Sequence, residues 1–394
     1  MATLGIDIGA YQHAIAVCRD GQTEAERRVV RISADRAGFE QLDQFVGGCG
    51  PIERAVMESS GHYWFAIASH LAARGIPVAV ISPVSAKYFA KRRLQRAKSD
   101  PADARTLAAL AMVDRPRTTE PLAGSELREA ARFAMTLVKE QARVCQRILR
   151  LIDIGFPELR EAYEDPSCAS AIALLKRAPT ARAAAARRTE TLAKIRTAGG
   201  RAIGPAKAEL IHAAARRTVA PAELDRQIGF EMELLIEQYE LLEGQIERAE
   251  AHLATVVDSD VVRRLRTIPG VGAATAAALV AEIGDIFRFS DFDQLVAFAG
   301  VHAAERSSGK KGADPETSWH MAKTGDAYLR AALYRMALVG IQHNPVIRAH
   351  YLRKRAAGKS KMNALGHCMK KALALVWGVW HGEHDFIVPD GISS

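Results

Sequence analysis

Four acidic residues are placed where they could hold a divalent metal ion. Asp7 lies inside the apolar run GIDIG, and Glu58 follows the apolar run AVM. Asp100 and Asp103 open the segment DPADARTLAALAMV, three residues apart and therefore on one face of a helix. Mg²⁺ prefers oxygen ligands, and metal-assisted phosphoryl transfer needs several carboxylates that converge. The four acids therefore predict a metal site for phosphoryl transfer.

Three of the four acids also have an ordinary structural explanation. Asp100 precedes Pro101 and suits a helix N-cap, and Asp103 would then interact favourably with the helix dipole. Glu58 could be a surface acid at the end of a strand. Asp7 is harder to explain, because a carboxylate in an apolar strand carries a desolvation cost unless a partner meets it. The four acids taken together favour a metal site.

Basic residues precede the two helical acids. The segment KRRLQRAKS supplies five predicted phosphate contacts: Lys91, Arg92, Arg93, Arg96 and Lys98. The whole chain of 394 residues has a formal charge of +9 and a pI near 9.4. This balance favours polyanions or acidic membrane surfaces as partners, and charge alone does not choose between them.

A serine-containing basic segment lies in the last third. ERSSGKKG includes Ser307 and Ser308, followed by Lys310 and Lys311. Its composition is that of a flexible basic loop. A serine hydroxyl is a poor nucleophile unless a base or a metal activates it, so a catalytic role would need the acids to act with it.

Further cations lie towards the end of the chain, and IPGVG resembles a helix-hairpin-helix element. Gly270 and Gly272 could let backbone N–H groups approach a phosphate, or could simply join two helices. Seven cations suit phosphate contacts, although a solvated face is the default for each: Lys323, Arg330, Arg335, Arg348, Arg353, Lys354 and Arg355.

The first third alternates between strand and helix patterns. TLGIDIG and HAIAVC predict a hairpin, and EAERRVVRIS predicts a third antiparallel strand. IERAVMES and PVAVIS predict two further strands that are separated by a helical pattern, which indicates a parallel crossover. An α/β domain with a mixed sheet follows.

The rest of the chain is predicted to be helical. A long helix from about 223 to 257 carries apolar residues at three-, four- and seven-residue intervals, as in a coiled coil or a helical hairpin. This pattern does not say whether the partner helix belongs to the same chain. We predict three regions: an α/β domain at 1–155, a helical linker and coiled coil at 156–257, and a mainly helical domain at 258–394.

The sequence argues against several other kinds of site and location. Five scattered cysteines without a CxxC pair indicate reduced thiols. The histidines form no spaced metal pair, and no Ser-His-Asp order is convincing. The chain shows no signal peptide and no apolar run long enough for a bilayer, so we expect a cytoplasmic protein without a membrane partner.

Segments in both halves of the chain together resemble a known family. GIDIGAYQHAIAV, VMESSGHY and KSDPADARTLA resemble, in order, the acidic motifs of the DEDD transposases of bacterial insertion sequence 110 type, in the branch of bridge-RNA-guided recombinases. TIPGVGAATAAALVAEIGDIFRFSDFDQLVAFAGV resembles the opening of the C-terminal transposase domain of the same family. ERSSGKKG followed by HMAKTGDAYLRAALYRMAL resembles the serine loop and the next helices of that domain. The resemblance is weakest between about residues 165 and 222.

This resemblance implies a fold, a site and partners. It implies an RNase H-like, RuvC-like N-terminal domain whose acids Asp7, Glu58, Asp100 and Asp103 bind Mg²⁺. It implies attack on a DNA phosphate by Ser308, with Ser307 as the alternative because the chain reads VHAAERSSG without the proline often found there. Implied partners are donor and target DNA, a structured bridge RNA, and further copies in a homodimer or homotetramer.

Three other functions compete with a transposase. A RuvC-like nuclease or Holliday-junction resolvase would use the same acids with water as the nucleophile. An actin-like ATPase or sugar kinase is suggested by GIDIGA, but the chain lacks a second glycine-rich phosphate motif of that kind. A non-catalytic regulator that binds nucleic acid would need none of the acids.

Overall fold

The computed structural model describes residues 1–22, 28–59, 61–92, 99–118, 124–256, 259–304, 320–322 and 324–389. The chain divides into two compact units, Met1–Glu126 and Leu127–Ser394. The first unit ends before the predicted boundary at 155, because one helix starts at Ser125 and continues to Gly155. The predicted three-region division stays a prediction.

A five-stranded mixed sheet forms the centre of the first unit. Its order is β3-β2-β1-β4-β5, with β1 and β3 antiparallel to β2, β4 parallel to β1, and β5 parallel to β4. A hairpin extended to three antiparallel strands and followed by parallel crossovers confirms the predicted RNase H-like class. The strands are β1 (Ala2–Asp7), β2 (Gln12–Arg19), β3 (Val29–Ser33), β4 (Ile52–Glu58) and β5 (Val78–Ile81).

Helices cover both faces of this sheet. One face carries Leu4, Ile6 and Ile15, which pack with Leu42 of α1 and Leu71 of α2. The opposite face carries small residues of β1 and β2 and is covered by α4. The helices are α1 (Arg36–Gly47), α2 (Trp64–Ala72), α3 (Pro83–Arg92) and α4 (Asp100–Val113).

The second unit is almost entirely helical, as predicted. Its one described sheet pairs β6 (Ala303–Ala304) with β7 (His320–Met321). In the described part of the chain, no helix combines the length and the apolar character that crossing a membrane requires. The helices are α5 (Ser125–Gly155), α6 (Leu159–Ala162), α7 (Ala169–Arg177), α8 (Ala181–Ala185), α9 (Thr189–Ala193), α10 (Pro205–Arg216), α11 (Asp225–Val256), α12 (Asp260–Leu265), α13 (Ala273–Ile283), α14 (Phe292–Ala299), α15 (Ala327–His343), α16 (Pro345–Ala356) and α17 (Lys361–His381).

Two apolar clusters hold these helices together. One joins the later part of α5 to α7, α10 and α11, with Ile148 and Leu174 fully buried. The other joins α13, α15 and α17, with Leu279 and Leu333 fully buried. The long helix α11 buries residues such as Met232 against its own chain, whereas other apolar residues of α11 are exposed. The predicted coiled coil stays a prediction.

Candidate active site

Asp7 and Glu58 lie at the same edge of the sheet. β1 and β4 run parallel with Ile6 opposite Met57, so the next residues on the two strands, Asp7 and Glu58, are neighbours. Both are the last residues of their strands. Ligands of parallel strands collect at this carboxyl edge, as the sequence predicted.

Both carboxylates also share a face of the sheet, because side chains alternate along a strand. Asp7 is two residues after Gly5, which lies against α4. Glu58 is two residues after Val56, which packs with Leu107 of α4. Asp7 and Glu58 therefore point to the side of the sheet that α4 covers.

Gly5 allows α4 to lie unusually close to β1. A Cβ atom at Gly5 would lie 2.0 Å from the backbone nitrogen of Ala108 and 2.2 Å from the carbonyl oxygen of Ala104. The Thr3 hydroxyl donates a hydrogen bond of 2.9 Å to the carbonyl oxygen of Ala108. Thr3, early in β1, contacts Ala108, whereas Gly5, later in β1, also contacts Ala104, one turn earlier in α4. The helix α4 therefore runs antiparallel to β1 and starts near Asp7.

This direction brings the first turn of α4 to the carboxylate edge. Asp100 and Asp103 lie in that turn, where a negative charge also suits the helix dipole. The capping explanation for Asp100 fails, because the helix begins at Asp100 and Ser99 occupies the N-cap position without a side-chain cap. Asp100 is exposed, and Asp103 is partly buried.

The charges of the three other acids act on the carboxyl group of Asp7. Burial raises the pKa of Asp7 most, and the negative charges of Asp103, Asp100 and Glu58 raise it further, to about 7. A bound cation would reduce the repulsion among these negative charges and so favour the ionised form of Asp7. The four acids that the sequence singled out therefore interact electrostatically through Asp7, and their role as a metal site stays a prediction.

The donor set suits a hard divalent cation, because all four side chains offer carboxylate oxygens. Within the described ranges, however, no three Asp, Glu, His or Cys side chains are already arranged to hold a metal ion. The carboxylate oxygens are the ligands that Mg²⁺ prefers, and a bound cation would offset the repulsion within the set Asp7, Glu58, Asp100 and Asp103.

Two of the predicted phosphate contacts that precede α4 are described. Lys91 and Arg92 are exposed at the end of α3. Arg92 Nη2 donates to Asp114 Oδ1 at 2.7 Å, and its guanidinium lies 4.9 Å from the centre of the Phe89 ring. The remaining three, Arg93, Arg96 and Lys98, lie outside the described residues.

The predicted serine loop also lies outside the described residues, with Ser307, Ser308, Lys310 and Lys311, and so does Lys323. Its two ends are described, and we call residues 298–304 and 320–326, apart from Lys323, the loop base. Strand pairing joins the two ends. The Ala322 N–H donates to the backbone carbonyl oxygen of His302 at 2.9 Å, and the Asp326 N–H donates to the carbonyl oxygen of Phe298 at 2.8 Å.

Two glycines and one arginine tighten the loop base. A Cβ atom at Gly300 would lie 2.6 Å from the backbone nitrogen of Gly325, and Gly300 has a positive φ of 66°. Arg330 Nη1 donates to the carbonyl oxygens of Ala299 at 3.2 Å and of Gly325 at 2.8 Å. Arg330, which the sequence suggested as a nucleic-acid contact, thus has a structural role, and its contact with nucleic acid stays a prediction.

Sequence reasoning missed a buried ion pair that supports the loop base. Arg132 donates two hydrogen bonds of 2.7 Å to the two carboxylate oxygens of Glu282. Its Nη2 lies 3.8 Å from Asp326 Oδ2, and Asp326 accepts from the Leu329 N–H as the N-cap of α15. One acid inside the apolar segment AATAAALVAEI was the available signal for Glu282. Nothing local could have identified Arg132 as its partner.

Two family models match separate parts of the chain. A model of the DEDD transposases of IS110 type matches residues 4–157, which include all four acids. A model described as the transposase IS116/IS110/IS902 family matches residues 262–352, which include the loop base.

Similar proteins extend over nearly the whole chain. The product assigned as the mini-circle transposase for IS117 of Streptomyces coelicolor is 28% identical, over 94% of this chain and 91% of that protein. The IS116 uncharacterized 44.8 kDa protein of Streptomyces clavuligerus is 24% identical, over 97% of this chain and 95% of that protein. The transposase for IS1328 of Yersinia enterocolitica is 26% identical, over 86% of this chain and 84% of that protein. Among solved structures, Thermus thermophilus RuvC covers 30% of this chain and 100% of its own, with 16% identity and a TM-score of 0.24.

Proposed function

This chain belongs to the IS110-type family of DEDD transposases, and we propose that it is a site-specific DNA recombinase that cuts and rejoins DNA through Ser308. One observation carries the proposal: Asp7, Glu58 and the first turn of α4 meet at one edge of an RNase H-like sheet. The raised pKa of Asp7 supports it, because burial and the three other carboxylates cause that shift. A magnesium ion held there would stabilise the charge that develops on the phosphate.

The proposed cleavage step conserves atoms and charge. The Ser308 Oγ–phosphorus bond forms while one bond between phosphorus and a deoxyribose oxygen breaks. The serine proton passes to water, and the freed deoxyribose oxygen takes up a proton. A deoxyribose hydroxyl of another strand then attacks the phosphorus: its oxygen–phosphorus bond forms while the Ser308 Oγ–phosphorus bond breaks. The attacking hydroxyl gives up its proton and the serine oxygen takes one up, which rejoins the DNA and restores the serine. The family resemblance supports the assignment of Ser308, with Ser307 as the alternative.

We also propose that a structured bridge RNA guides this reaction and that the active species is a homodimer or homotetramer. Both proposals rest on the family resemblance. The net charge of +9 supports binding to donor DNA, target DNA and RNA at once. Described cations available for such contacts include Lys91, which is exposed at the end of α3.

The test is to trap the covalent protein–DNA adduct. The full chain is incubated with Mg²⁺, with DNA that carries the flanks of its own gene, and with RNA transcribed from those flanks. We expect a denaturation-resistant adduct that Ser308→Ala abolishes and Ser307→Ala retains. Asp7→Ala should lower adduct formation by about 100-fold or more, because it removes charge that positions the metal.

Other outcomes would overturn parts of the proposal. An adduct that persists in Ser308→Ala and disappears in Ser307→Ala would move the nucleophile by one residue. Full activity of Asp7→Ala would exclude the carboxylate site. Hydrolysed DNA ends without any adduct, and with no effect of Ser308→Ala, would establish the resolvase-like reaction in which water attacks.

A further inference from the structure

The last three helices carry an unusually one-sided charge. Residues 327–382 contain ten lysines and arginines and no aspartate or glutamate. Among the described residues, one of these cations, Lys370, forms an ion pair with a carboxylate, that of Asp293 at 3.7 Å. Such a concentration of uncompensated positive charge favours a polyanionic partner.

Part of this charge is organised across two packed helices. α16 and α17 pack against each other and are joined by residues 357–360, so they run antiparallel. His350 and Lys354 lie four residues apart on α16, and His367 and Lys371 lie four residues apart on α17. A spacing of four places each pair on one helix face.

The two pairs face each other. Lys371 acts electrostatically on His350, and Lys354 acts on His367, as expected for antiparallel helices. Arg353 Nη2 lies 2.9 Å from His350 Nδ1, a distance at which the guanidinium donates to a neutral imidazole. We call His350, Arg353, Lys354, His367 and Lys371, together with the nearby Lys359, the α16–α17 cationic surface.

The histidines of this surface are held neutral by their surroundings. Partial burial lowers the pKa of His350 to about 4, and the neighbouring basic groups Arg353, Lys354, Lys371 and His367 add to the effect. Burial likewise lowers the pKa of His367, with Lys354 and Lys359 adding to it. Among the described helices, α15 also packs against α16, and α15 carries Arg330, Arg335 and His343 and no Asp or Glu.

We propose that the α16–α17 cationic surface binds the phosphate backbone of nucleic acid, and that the bound phosphates draw protons onto His350 and His367. Each phosphate supplies negative charge to cations that form no ion pair with a carboxylate among the described residues. Protonated imidazoles then become additional donors to phosphate oxygens. Binding therefore becomes tighter as the pH falls.

The proposal rests on the proposed function only for the identity of the partner. Binding is measured with the full chain in EDTA, so that neither Ser308 nor a metal-dependent step takes part. Failure of the adduct experiment would leave this binding result standing, and loss of binding here would leave the nucleophile assignment untouched.

The experiment measures fluorescence anisotropy of a labelled duplex DNA and of a hairpin RNA with the same number of phosphates, across a range of salt concentrations. We expect the double variant Arg353→Gln with Lys354→Gln to lower the slope of log affinity against log salt by about 2, roughly 0.9 for each lost contact. Lys370→Gln is the matched control, because Lys370 lies on α17 but pairs with Asp293. Equal slopes for the double variant and the control would overturn the proposed surface.

A second set of measurements tests whether His350 and His367 take up protons when nucleic acid binds. The affinity of the wild type should rise between about pH 8 and pH 5.5, by at most about tenfold per pH unit for each proton taken up. The double variant His350→Gln with His367→Gln should bind as the wild type does at pH 8 and lose that rise. An unchanged rise would overturn the role of the histidines.

Control ligands identify the source of the phosphate. Tighter binding of the DNA or of the RNA supports the proposal and names the partner. Vesicles of anionic phospholipid should bind weakly. If they bound as tightly as the nucleic acids, with the same loss in Arg353→Gln with Lys354→Gln, a membrane surface would replace nucleic acid as the partner.

Discussion

Arg330 Nη1 donates a hydrogen bond of 2.8 Å to the carbonyl oxygen of Gly325, five residues earlier in the chain. The same nitrogen also donates to the carbonyl oxygen of Ala299. One side chain therefore joins the two segments that lead into and out of the predicted serine loop. Gly300 meets Gly325 at the same point, so there is no space for the segments to come closer.

Replacing Arg330 by Met should loosen the loop base. It removes two hydrogen bonds to carbonyl groups, and the free energy of unfolding should fall by about 1–3 kcal/mol, since each bond contributes about 0.5–1.5 kcal/mol. Adduct formation should fall more than DNA affinity does, because the two described segments that flank Ser308 in the sequence lose the side chain that joins them. Urea unfolding, adduct yield and DNA affinity measure the three effects.

Arg335→Met is the matched control for Arg330→Met. Both residues belong to α15 and both are partly buried. Removal of Arg335 should leave adduct formation close to that of the wild type. If Arg330→Met instead lowered the salt slope of DNA binding by about 1, Arg330 would contact a phosphate, as the sequence suggested.

Gly5→Ala should separate Asp7 of β1 from Asp100 and Asp103 of α4. The added Cβ atom would lie 2.0 Å from the Ala108 nitrogen, so the helix backbone must shift. Overpacking of this kind costs about 1–3 kcal/mol of unfolding free energy, and the shift should lower adduct formation strongly. Urea unfolding and adduct yield again supply the measurements.

Gly47→Ala provides the comparison for Gly5→Ala. Gly47 is the last residue of α1, and a Cβ atom there would meet nothing within 4 Å. This variant should be neutral or stabilised by about 0.4–1 kcal/mol, with full activity. Wild-type stability and activity in Gly5→Ala would show that the close approach of α4 to β1 has no role in the site.

The fold of the first unit was predictable because its signals are local. Short apolar runs mark β1, β2, β4 and β5, with turns or helical patterns between them. The carboxyl edge of parallel strands then placed Asp7 beside Glu58. The close contact at Gly5 was not predicted, although a glycine inside a strand often marks another backbone close by.

The supports of the loop base could not have been predicted in the same way. Arg132 and Glu282 are 150 residues apart, and their pairing depends on how α5 and α13 pack. The carbonyl groups of Ala299 and Gly325 that receive Arg330 carry no signal in the residue types. A basic residue on a helix therefore suggested a phosphate contact, because side-chain chemistry is visible in sequence and backbone acceptors are not.

Asp7→Asn should change how stability depends on pH. The pKa of Asp7 is raised from 3.8 to about 7, so the folded protein holds this proton more tightly than the unfolded chain does. Asp7 therefore lowers the stability of the wild type as the pH rises from about 4 to about 7, and the loss is complete above that range. In EDTA, Asp7→Asn should be more stable than the wild type at pH 8, and this difference should vanish near pH 4.

Mg²⁺ provides the second half of that test. At pH 8 it should stabilise the wild type by relieving the repulsion among the carboxylates, and it should stabilise Asp7→Asn much less. Asp20→Asn is the control, because Asp20 is an exposed acid whose side chain is 81% accessible. Equal stabilisation of all three proteins by Mg²⁺ would show that the ion binds elsewhere.

Arg132→Met should be the most destabilising of these changes. Glu282 is 4% exposed, so removal of Arg132 would leave a buried carboxylate without its bidentate partner, at a cost of about 3–5 kcal/mol. Burial already raises the pKa of Glu282 despite Arg132, and loss of the cation should raise it further. The destabilisation should therefore grow as the pH rises.

The double variant Arg132→Met with Glu282→Met should recover most of the loss, because apolar side chains of similar length can replace a buried ion pair. Urea unfolding of the wild type, both single variants and the double variant gives the coupling energy. Additive losses would show that the pair contributes nothing beyond the packing of its two side chains.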